Sequence, residues 1–510
     1  MNLIGLRLCE HDSNISYYDG SNFYYYKSER NYQVKHHAFD NFWQWKNIVY
    51  DLWNLKEKDI DDIAIIVDPW RHNLPTNEED FFPCIENYPY LPFKATRLNH
   101  HYAHALSTDV MHDNLSGHII IDGFGDQDQA VTIFKDDKII ENYKLSDRGS
   151  LGQLYSITAE QYFKITGNQY DVAGKLMGLQ SYGRIDLDFY KLLNKYNFED
   201  IKTFWDPIHF MDYKQNELLA GLEKLSWIRT VHEKTGKTLV NFFKKFFKKN
   251  DAIGYSGGVA QNVIWNTELK NYFPNLQVMP YCNDEGLSVG AIEFLRRKHK
   301  LKKPVINNFP FNQSDEAPSS EPSTKTIKEV AKHLANNKIV AWYQGHGEIG
   351  PRALGHRSIL FNPFNKEART IVNKIKKREA YRPFGASVLK EDASKYFKNP
   401  IDNPHMLYIS EVKKPNLYGI THVDNTCRYQ TVDKINKYFY LLLKEFKKIT
   451  GESIILNTSL NIGGKPIMSS KNDLLSFIDN SDIDYAIYGD KVINVRTRNI
   501  NQKRAVYKFL

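Results

Sequence analysis

Residues 253–262 read IGYSGGVAQN, an apolar strand that runs into a glycine pair and then into a helix. Glycines at a strand end let backbone amides approach a phosphate, and the helix N-terminus behind them adds further donors. Two more elements of this kind are IIIDGFGD (119–126) and NDEG (283–286). One such turn usually only redirects the chain, but three together indicate an α/β fold with a nucleotide-phosphate cleft at its strand ends. The residues predicted to bind a cofactor here are Asp122, Gly123, Gly257, Gly258 and Asn262.

Strands are predicted at 253–256 and 385–389, and a helix is predicted from about Val259. The alternation of strands and helices continues on both sides of one segment that lacks apolar periodicity. Residues 303–325 are rich in Pro, Ser and Asn, which is typical of a linker between domains. The fold class predicted for the whole chain is therefore α/β. We expect one domain at 1–305, a linker at 306–325 and a second domain at 326–510.

Composition excludes several classes of protein. Of the 510 residues, 42% are hydrophobic and 25% charged, which excludes a disordered or collagen-like chain. No apolar run approaches the ~18 residues that a membrane span needs, and the first residues indicate a strand rather than a signal peptide. The four cysteines form no CxxC pair, so we expect a reducing, cytoplasmic setting without disulfides or a zinc ribbon.

Positive charge concentrates in local clusters rather than over the whole chain. The net charge is +8, and the clusters lie at 242–249, 296–303 and 374–378. The simpler interpretation is that they are solvated helix faces. The alternative is that they contact a polyanionic partner or a phosphorylated substrate.

A metal site is indicated by NHHYAHA (99–105), in which His100 and His104 are one helical turn apart. Two imidazoles on one helix face can bind one metal ion, and Asp284 in its glycine-flanked loop is the expected oxygen ligand. Two histidines and a carboxylate suit an iron-type divalent ion. The alternative is that these histidines only form hydrogen bonds in the core.

The second half contains its own concentration of phosphate-binding residue types. The runs GHGEIGPRALGHRSIL (345–360) and KIKKREAYRPF (374–384) interleave basic residues with turn residues, as repeated phosphate recognition requires. The run LNTSLN (456–461) is a polar turn after an apolar strand, able to hold a nucleotide or a small planar amide. The predicted binding residues are Arg352, Arg357, Lys374, Arg378, Arg382, Asn457, Ser459 and Asn461.

Together these motifs resemble those of the NodU/CmcH/TobZ-type carbamoyltransferases. The resemblance extends along nearly the whole chain and includes HDSN (11–14), SERNYQVKHH (28–37), GKLMGLQSYG (174–183) and HVDNTCRYQTV (422–432). It implies an N-terminal domain of the actin/hexokinase-like (ASKHA) superfamily, similar to TsaD, and a YrdC-like C-terminal domain.

The resemblance also implies a reaction. The YrdC-like domain is expected to make carbamoyl-adenylate from carbamoyl phosphate and Mg²⁺-bound ATP. The TsaD-like domain, with Fe²⁺ as the expected metal, is expected to transfer the carbamoyl group to a hydroxyl. By the same resemblance, His11 is the general base and Lys35 neutralises phosphate. Lys175, His422 and Arg428 are further expected cofactor contacts.

Alternatives remain open for the identity of the molecule that accepts the carbamoyl group. The resemblance favours a sugar, an aminoglycoside or another natural-product hydroxyl, with no membrane partner. The basic clusters and the 32 Tyr, 29 Phe and 8 Trp residues leave a hydroxymethylated pyrimidine in DNA as the second possibility. A nucleotide-binding scaffold that has lost the chemistry is the remaining alternative.

Overall fold

The computed structural model describes residues 1–74, 82–207 and 223–496 of the chain. These residues form two compact units. The first comprises Met1–Ser28 and His36–Val305, and the second comprises Glu29–Lys35 and the chain from Ile306 onward. Within the described ranges, no helix is both long and apolar enough to cross a membrane.

The first unit is built on two sheets. Along the chain, the strands of the first sheet are β1 (Leu3–Arg7), β2 (Asn14–Tyr18), β3 (Phe23–Lys27), β4 (Asp62–Ile66), β5 (Cys84–Ile85) and β6 (Thr96–Leu98), in the spatial order β3-β2-β1-β4-β6-β5. Those of the second sheet are β7 (Gly117–Ile121), β8 (Gln129–Lys135), β9 (Lys138–Lys144), β10 (Ile253–Ser256) and β11 (Leu276–Val278), in the order β11-β10-β7-β8-β9.

The helices of the first unit surround these sheets. They are Gln44–Trp53, His100–Asp109, Leu145–Arg148, Leu151–Ile157, Gln169–Leu179, Leu187–Leu193, Ile201–Phe204, Lys224–Phe246, Val263–Tyr272 and Leu287–Lys298. The strand predicted at 253–256 is confirmed. The helix predicted to start at Val259 begins instead at Val263, because Gly258–Gln261 form a 3₁₀ turn and Asn262 caps the helix.

Parallel pairing brings the polar strand ends of the first unit together. β10 pairs parallel with β7, with Tyr255 opposite Ile119, and every residue of both strands is buried. Parallel strands covered on both faces read as continuous apolar runs, as both do here. Their carboxyl ends meet at one edge, so Asp122 and Gly257 follow neighbouring strands.

Two helices of the first unit pack closely against each other at a glycine. A Cβ on Gly290, in the helix Leu287–Lys298, would lie 2.0 Å from the carbonyl oxygen of Ala103, in the helix His100–Asp109. Only glycine permits this approach, which sets the helix carrying His100 and His104 against the one that follows Asp284.

The second unit is a single mixed sheet between helices. Its strands are β12 (Val340–Tyr343), β13 (Arg357–Phe361), β14 (Gly385–Leu389), β15 (Ile409–Glu411), β16 (Thr426–Val432), β17 (Ile454–Ser459), β18 (Tyr485–Tyr488) and β19 (Lys491–Asn494), in the order β15-β16-β14-β17-β13-β12-β18-β19. Its helices are Ser28–Tyr32, whose residues from Glu29 lie in this unit, Thr324–Ala335, Ala368–Lys376, Ala393–Tyr396, Lys437–Thr450 and Lys471–Asp479. The strand predicted at 385–389 is confirmed.

Alternating strand residues bury the two faces of this sheet in separate cores. Val340 and Trp342 pack with the helices Thr324–Ala335 and Lys437–Thr450. Ala341 and Tyr343 pack with the residues of the opposite core, which include Val372 and Leu474. This period of two is the strand pattern expected when both faces are covered.

Much of the segment that the sequence analysis interpreted as a linker packs into the second unit. Phe311 is buried and stacks on His356 with ring centroids 3.7 Å apart. Asp315 pairs with Arg357 at 2.9 Å, and both side chains are buried. These contacts are isolated and leave no periodic pattern in the sequence, so composition alone did not reveal them.

We predict that Gly290→Ala destabilises the first unit. The added methyl would overlap a backbone carbonyl that cannot rotate away, so the free energy of unfolding should fall by roughly 1–3 kcal/mol, measured by urea denaturation. Gly174→Ala is the matched control, because Gly174 also lies in a helix but its Cβ would meet nothing within 4 Å. Equal effects of the two changes would contradict the packing argument.

Candidate functional site

Four buried side chains of the first unit converge on one point. His100, His104, Asp122 and Asp284 each place a potential ligand atom within 4.8 Å of the others. His104 Nε2 lies 3.0 Å from Asp122 Oδ2 and 3.5 Å from Asp284 Oδ1. His100 Nε2 lies 3.5 Å from both carboxylates. The predicted histidine pair and Asp284 are therefore brought together, and Asp122 joins them.

The helix that carries both histidines is fixed at its N-terminus. Asn99 caps it by accepting a hydrogen bond from the Tyr102 amide at 3.0 Å. Asp126 Oδ2 accepts from the His100 amide at 2.6 Å, and Arg97 pairs with Asp126 at 3.0 Å. A carboxylate at a helix N-terminus is favoured by the helix dipole. The imidazoles consequently project from a rigid first turn.

Glycine amides position Asp122. Its Oδ1 accepts from the Gly123 amide at 2.7 Å and from the Gly258 amide at 3.1 Å, which leaves Oδ2 facing the imidazoles. Gly257, at a positive φ of 97°, turns the chain towards this contact. The sequence predicted phosphate binding for these residues, whereas Asp122 faces the histidines and the Gly258 amide binds Asp122. A Cβ on Gly123 would meet nothing within 4 Å, so space for a ligand lies beside it.

Arg7 is a buried residue of this site that was not predicted from the sequence. At the end of β1, its Nη2 donates to Asp284 Oδ2 at 3.0 Å and its Nη1 pairs with Glu10 at 2.7 Å. Burial opposes ionisation of Asp284, but the charges of His100 and His11 outweigh burial and hold its pKa well below the usual range. The sequence signal that could have identified Arg7 was an arginine at the end of an otherwise apolar strand.

The donor set fits a divalent metal. His100 Nε2 is buried and has no hydrogen-bond partner among the described residues. Burial alone would lower the pKa of His100, but Asp284 and Asp122 raise it to about 10. Two buried carboxylates thus attract a positive charge to this point, and two nitrogens with two oxygens suit a divalent transition metal.

His11 lies at the edge of this cluster. Its Nε2 is 3.5 Å from Asp284 Oδ2, and its Nδ1 is 3.0 Å from Asp12 Oδ2. The ring stacks on Tyr170 with centroids 4.0 Å apart. The side chain is 20% exposed, so a molecule from solution can reach it.

Asp12 contacts two imidazoles and one ammonium group. His36 Nδ1 lies 2.9 Å from Oδ2, the oxygen that also faces His11, while Lys27 lies 3.2 Å from Oδ1. Burial would lower the pKa of His36, but the charge of Asp12 and hydrogen bonds to Asp12 and Asp171 raise it to about 9. His36 is therefore protonated at neutral pH.

The predicted cofactor residues Asn262 and Lys175 of the first unit contact other groups than this cluster. Asn262 accepts hydrogen bonds from the Ile264 and Trp265 amides and lies 3.1 Å from His232. Lys175 donates to the carbonyl of Thr166 at 2.7 Å. Lys35 belongs to the second unit.

The second unit places Lys376, rather than the predicted Lys374, among polar groups. Lys376 is 2% exposed, and its Nζ donates to the Ser459 and Asn461 carbonyls at 2.5 and 2.7 Å and to both side chains. The Lys374 side chain is 77% exposed and pairs with Asp482 at 2.8 Å. Residues two apart on a helix face different directions, so only one of the pair can enter the unit.

Positive charges crowd around Lys376. Burial, followed by Arg378, Arg382 and Lys35, holds its pKa well below the usual range. Burial and the charge of Arg382 likewise lower the pKa of Arg378 to about 9. Mutual repulsion of this kind favours an anionic ligand. The predicted Lys35, Arg378 and Arg382 are thus brought together.

Two more predicted arginines join this set. Burial, followed by Arg352 and Arg378, lowers the pKa of Arg428 strongly. Arg428 lies on β16, a few residues after His422, whose Nδ1 is 3.5 Å from Asp424. Asn457 donates to Ser387 Oγ at 2.9 Å and to the Ala353 carbonyl at 3.2 Å.

The proposed phosphate role of Arg357 is not supported by its contacts. Its guanidinium donates to the carbonyls of Gln344 and Gly345 at 2.6 and 2.9 Å, in addition to Asp315 at 2.9 Å. It also lies 3.5 Å from the centre of the Tyr343 ring. The positive charge of Arg357 is therefore compensated inside the unit. Strand β13 begins at this residue and directs its side chain into the core.

Of the two basic clusters considered for a polyanion, the one at 296–303 is largely paired within the first unit, and the one at 242–249 has one described ion pair. Arg296, Arg297 and Lys298 pair with Glu293, Asp109 and Asp62 at 2.6, 2.7 and 2.9 Å. The other described ion pairs of these clusters join His299 to Asp62, Lys303 to Asp113 and Lys245 to Glu199. These contacts favour the interpretation as ordinary surface charge over a nucleic-acid surface.

We predict that His100→Ala/His104→Ala loses one equivalent of divalent metal by elemental analysis, because two of the four converging donors are removed. Asp122→Asn should weaken binding without abolishing it, since one carboxylate and both imidazoles remain. His101→Asn is the matched control: His101 is buried on the same helix, but its Nδ1 faces Thr132 Oγ1 at 2.7 Å. Full metal retention in the double variant would refute the site.

We also predict a pH dependence of stability from His36. Its folded-state pKa is about 9, above the ordinary imidazole value of 6.5. A histidine whose pKa is raised by folding stabilises the folded state. This contribution is complete below the pKa of the unfolded state and is lost as pH rises through the pKa of the folded state. The stability difference between wild type and His36→Gln should therefore shrink by roughly 2 kcal/mol between about pH 6.5 and 9. A difference that is constant with pH would contradict the coupling to Asp12.

Comparison with known proteins supports one family. The model of the carbamoyltransferase N-terminus matches residues 95–292, and that of the carbamoyltransferase C-terminus matches residues 331–495. The component A of the (R)-2-hydroxyglutaryl-CoA dehydratase of Acidaminococcus fermentans aligns with 59% of this chain and 99% of its own, at a TM-score of 0.36 and 12% identity, too low to support an inference.

Relatives in sequence include nodulation and cephem-modifying proteins. Nodulation protein NolO of Bradyrhizobium diazoefficiens is 29% identical over 80% of this chain and 81% of its own length. Nodulation protein NolNO of Sinorhizobium fredii is 30% identical over 80% and 65%. The 3'-hydroxymethylcephem-O-carbamoyltransferase of Amycolatopsis lactamdurans is 29% identical over 65% and 67%. With both of its parts matched in family order, this chain belongs to the carbamoyltransferase family.

Proposed function

We propose that this protein is an ATP-dependent O-carbamoyltransferase that makes carbamoyl-adenylate in its second unit and transfers the carbamoyl group to a hydroxyl in its first. The observation that carries the proposal is a crowded set of cations in the second unit: burial, and then neighbouring charges that include Arg378, Arg382 and Lys35, lower the pKa of Lys376, and burial with Arg352 and Arg378 lowers that of Arg428. Such a cluster needs a polyanion, and carbamoyl phosphate with ATP supplies one.

In the first half-reaction, carbamoyl phosphate loses phosphate to water and gives carbamate. A carbamate oxygen then attacks the α-phosphorus of ATP, pyrophosphate leaves with the electron pair, and carbamoyl-adenylate forms. Arg378, Arg428 and Lys376 orient the phosphates and stabilise the developing negative charge. The Ser459 and Asn461 groups around Lys376 fix the ammonium in place.

In the second half-reaction, the acceptor oxygen attacks the carbamoyl carbon, and AMP leaves with the electron pair of the broken C–O bond. His11 takes the hydroxyl proton on Nε2, the nitrogen that faces the cluster. The imidazoles of His100 and His104 with the carboxylates of Asp122 and Asp284 would hold the metal, which would supply positive charge for phosphate binding. The chemistry of this set suits Fe²⁺ among other divalent ions.

We infer that the acceptor is a small molecule or sugar. The pairing of Arg296, Arg297 and Lys298 leaves little free charge there for a DNA backbone. The name of the Amycolatopsis relative specifies transfer to a hydroxymethyl group of a cephem, a small molecule. Mass spectrometry over a panel of sugars, aminoglycosides and hydroxymethylated DNA tests this inference, and a carbamoyl mass shift on the DNA would overturn it.

We predict that Lys376→Met lowers carbamoyl-adenylate formation by roughly 10²–10³-fold, as expected for removal of a buried donor that stabilises transition-state charge. Pyrophosphate release from ATP in the presence of carbamoyl phosphate is the measurement. Lys374→Met is the matched control: it lies two residues away on the same helix but pairs at the surface with Asp482, so its rate should match wild type. If both variants were equally active, the assignment of this cluster would fail.

We further predict that His11→Ala still forms carbamoyl-adenylate but transfers it roughly 10²–10⁴-fold more slowly, because general-base assistance is lost. Intermediate formation and acceptor carbamoylation are measured in parallel by mass spectrometry. Loss of adenylate formation in this variant would mean that the two half-reactions are not divided between the units as proposed.

A further inference from the structure

A small cavity lies beside the helix Lys224–Phe246 of the first unit. One stripe of this helix, which includes Lys234, Thr238 and Asn241, lines it together with the turn at 196–198. The cavity has a volume of about 30 Å³. A water molecule needs about 10–15 Å³ on this scale, so the cavity has room for a molecule of a few heavy atoms.

Lys234, which lines the cavity, is a buried lysine without a partner. Its residue is 9% exposed, and it forms no ion pair or hydrogen bond with any residue in the described ranges. The other lysines of the helix are exposed and each has a contact: Lys224 with the carbonyl of Tyr162 at 3.4 Å, Lys237 with Glu268, Lys244 with the ring of Tyr272 at 4.1 Å, and Lys245 with Glu199. Burial lowers the pKa of Lys234. An ammonium group removed from water without an opposite charge is costly, so this lysine favours an anion.

Thr238 adds a second unused donor. In the same helix the hydroxyls of Thr230 and Thr235 donate to the carbonyls of Ser226 and Val231, both at 2.7 Å. This contact four residues back is the usual one for a threonine inside a helix. Thr238 Oγ1 is buried and has no hydrogen-bond partner among the described residues. Its hydroxyl is therefore available to the cavity that it lines.

The other lining residues bring further donors and no negative charge. Asn197 and Asn241 contribute amides, and Tyr196 contributes a phenol. Phe198 and Phe242 stack with ring centroids 4.2 Å apart and form an apolar wall. No acidic residue is present among the described residues that line the cavity. Beside an apolar wall, a hydrogen bond to a charged group is stronger than in water.

Charge and spacing select the kind of anion. Lys245, the other lysine of the lining, is already paired with Glu199, so Lys234 supplies one uncompensated charge. A single charge matches a monoanion better than a phosphate, which carries more than one charge at neutral pH. Lys234 and Thr238 are four residues apart and lie one above the other on the helix. The two oxygens of a carboxylate group can accept one hydrogen bond from each.

We propose that this cavity binds a small monoanion with a planar CO₂⁻ group, of the size of formate or bicarbonate. Lys234 supplies the opposite charge, and Thr238 donates a hydrogen bond to one oxygen. The site is separate from the proposed carbamoyl transfer, because the lining includes no residue of the candidate metal site or of the cationic cluster of the second unit.

The reactivity of Lys234 tests the proposal. Acetic anhydride in trace amount acetylates only the neutral amine, and mass spectrometry of the full chain after digestion gives the rate at each lysine. Sodium formate replaces sodium chloride at constant ionic strength. The rate at Lys234 should fall by about tenfold or more at saturation, because an opposite charge in contact raises the pKa of an ammonium by about one unit or more. Lys237, exposed and paired with Glu268, is the internal control and should keep its rate.

Other anions identify the ligand. Bicarbonate should protect Lys234 as formate does, and the lower half-protecting concentration of the two indicates the better ligand. A rate at Lys234 that does not change when formate or bicarbonate replaces chloride would overturn the proposal, because the cavity would then not select a CO₂⁻ group. Protection by inorganic phosphate at a lower concentration than by formate would also overturn it.

A matched pair of substitutions tests the hydroxyl. Thr238→Val keeps the shape of the side chain but removes the donor, so the half-protecting concentration of formate should rise by about tenfold or more, as expected for a hydrogen bond to a charged group. Thr238→Ser keeps the hydroxyl and should behave as wild type does. Equal half-protecting concentrations in the Val and Ser variants would overturn the role of Thr238.

Thermal unfolding gives a second measurement that does not depend on acetylation. A ligand that binds only the folded chain raises its Tm. The increase in Tm when formate replaces chloride should be smaller in Lys234→Met than in the control Lys237→Met, which alters an exposed lysine of the same helix. Equal increases in the two variants would overturn the proposal.

Discussion

Two buried carboxylates, Asp122 and Asp284, face the same small volume as two imidazoles, and the first unit is organised around the positive charge that they require. Burial makes an unpaired carboxylate costly, so each must meet a cation or a proton. Arg7 supplies one charge at 3.0 Å from Asp284, and the same carboxylates raise the pKa of His100 to about 10. The parallel pairing of β7 with β10 and the close helix contact at Gly290 bring these groups together.

The second unit has the opposite requirement. Lys376, Arg378 and Arg428 are charged groups whose pKa values burial and mutual repulsion depress. Arg357 differs from them, since Asp315 and backbone carbonyls satisfy it inside the fold. A cluster of cations that repel one another favours an anionic ligand, just as the carboxylates of the first unit favour a cation. This contrast is the physical basis for assigning phosphate chemistry to one unit and metal-assisted transfer to the other.

The residues of the candidate metal site were predictable to the extent that local spacing determines them. His100 and His104 are one turn apart on any helix, whatever surrounds it. Lys374 was predicted and Lys376 missed, because a row of lysines gives no sign of which one the helix turns inwards. Arg7 was missed for a similar reason: its partner Asp284 lies far along the chain and is brought near only by the fold.

The sequence by itself determined the α/β class, the strands at 253–256 and 385–389, the histidine spacing and the family motifs, because each depends on neighbours along the chain. Only the tertiary structure decided that Asp122 faces the histidines, that Phe311 and Asp315 are packed rather than part of a free linker, and that Asp12 joins His11 to His36. These contacts join residues distant in sequence, and their energy comes from burial and charge pairing, which no local pattern encodes.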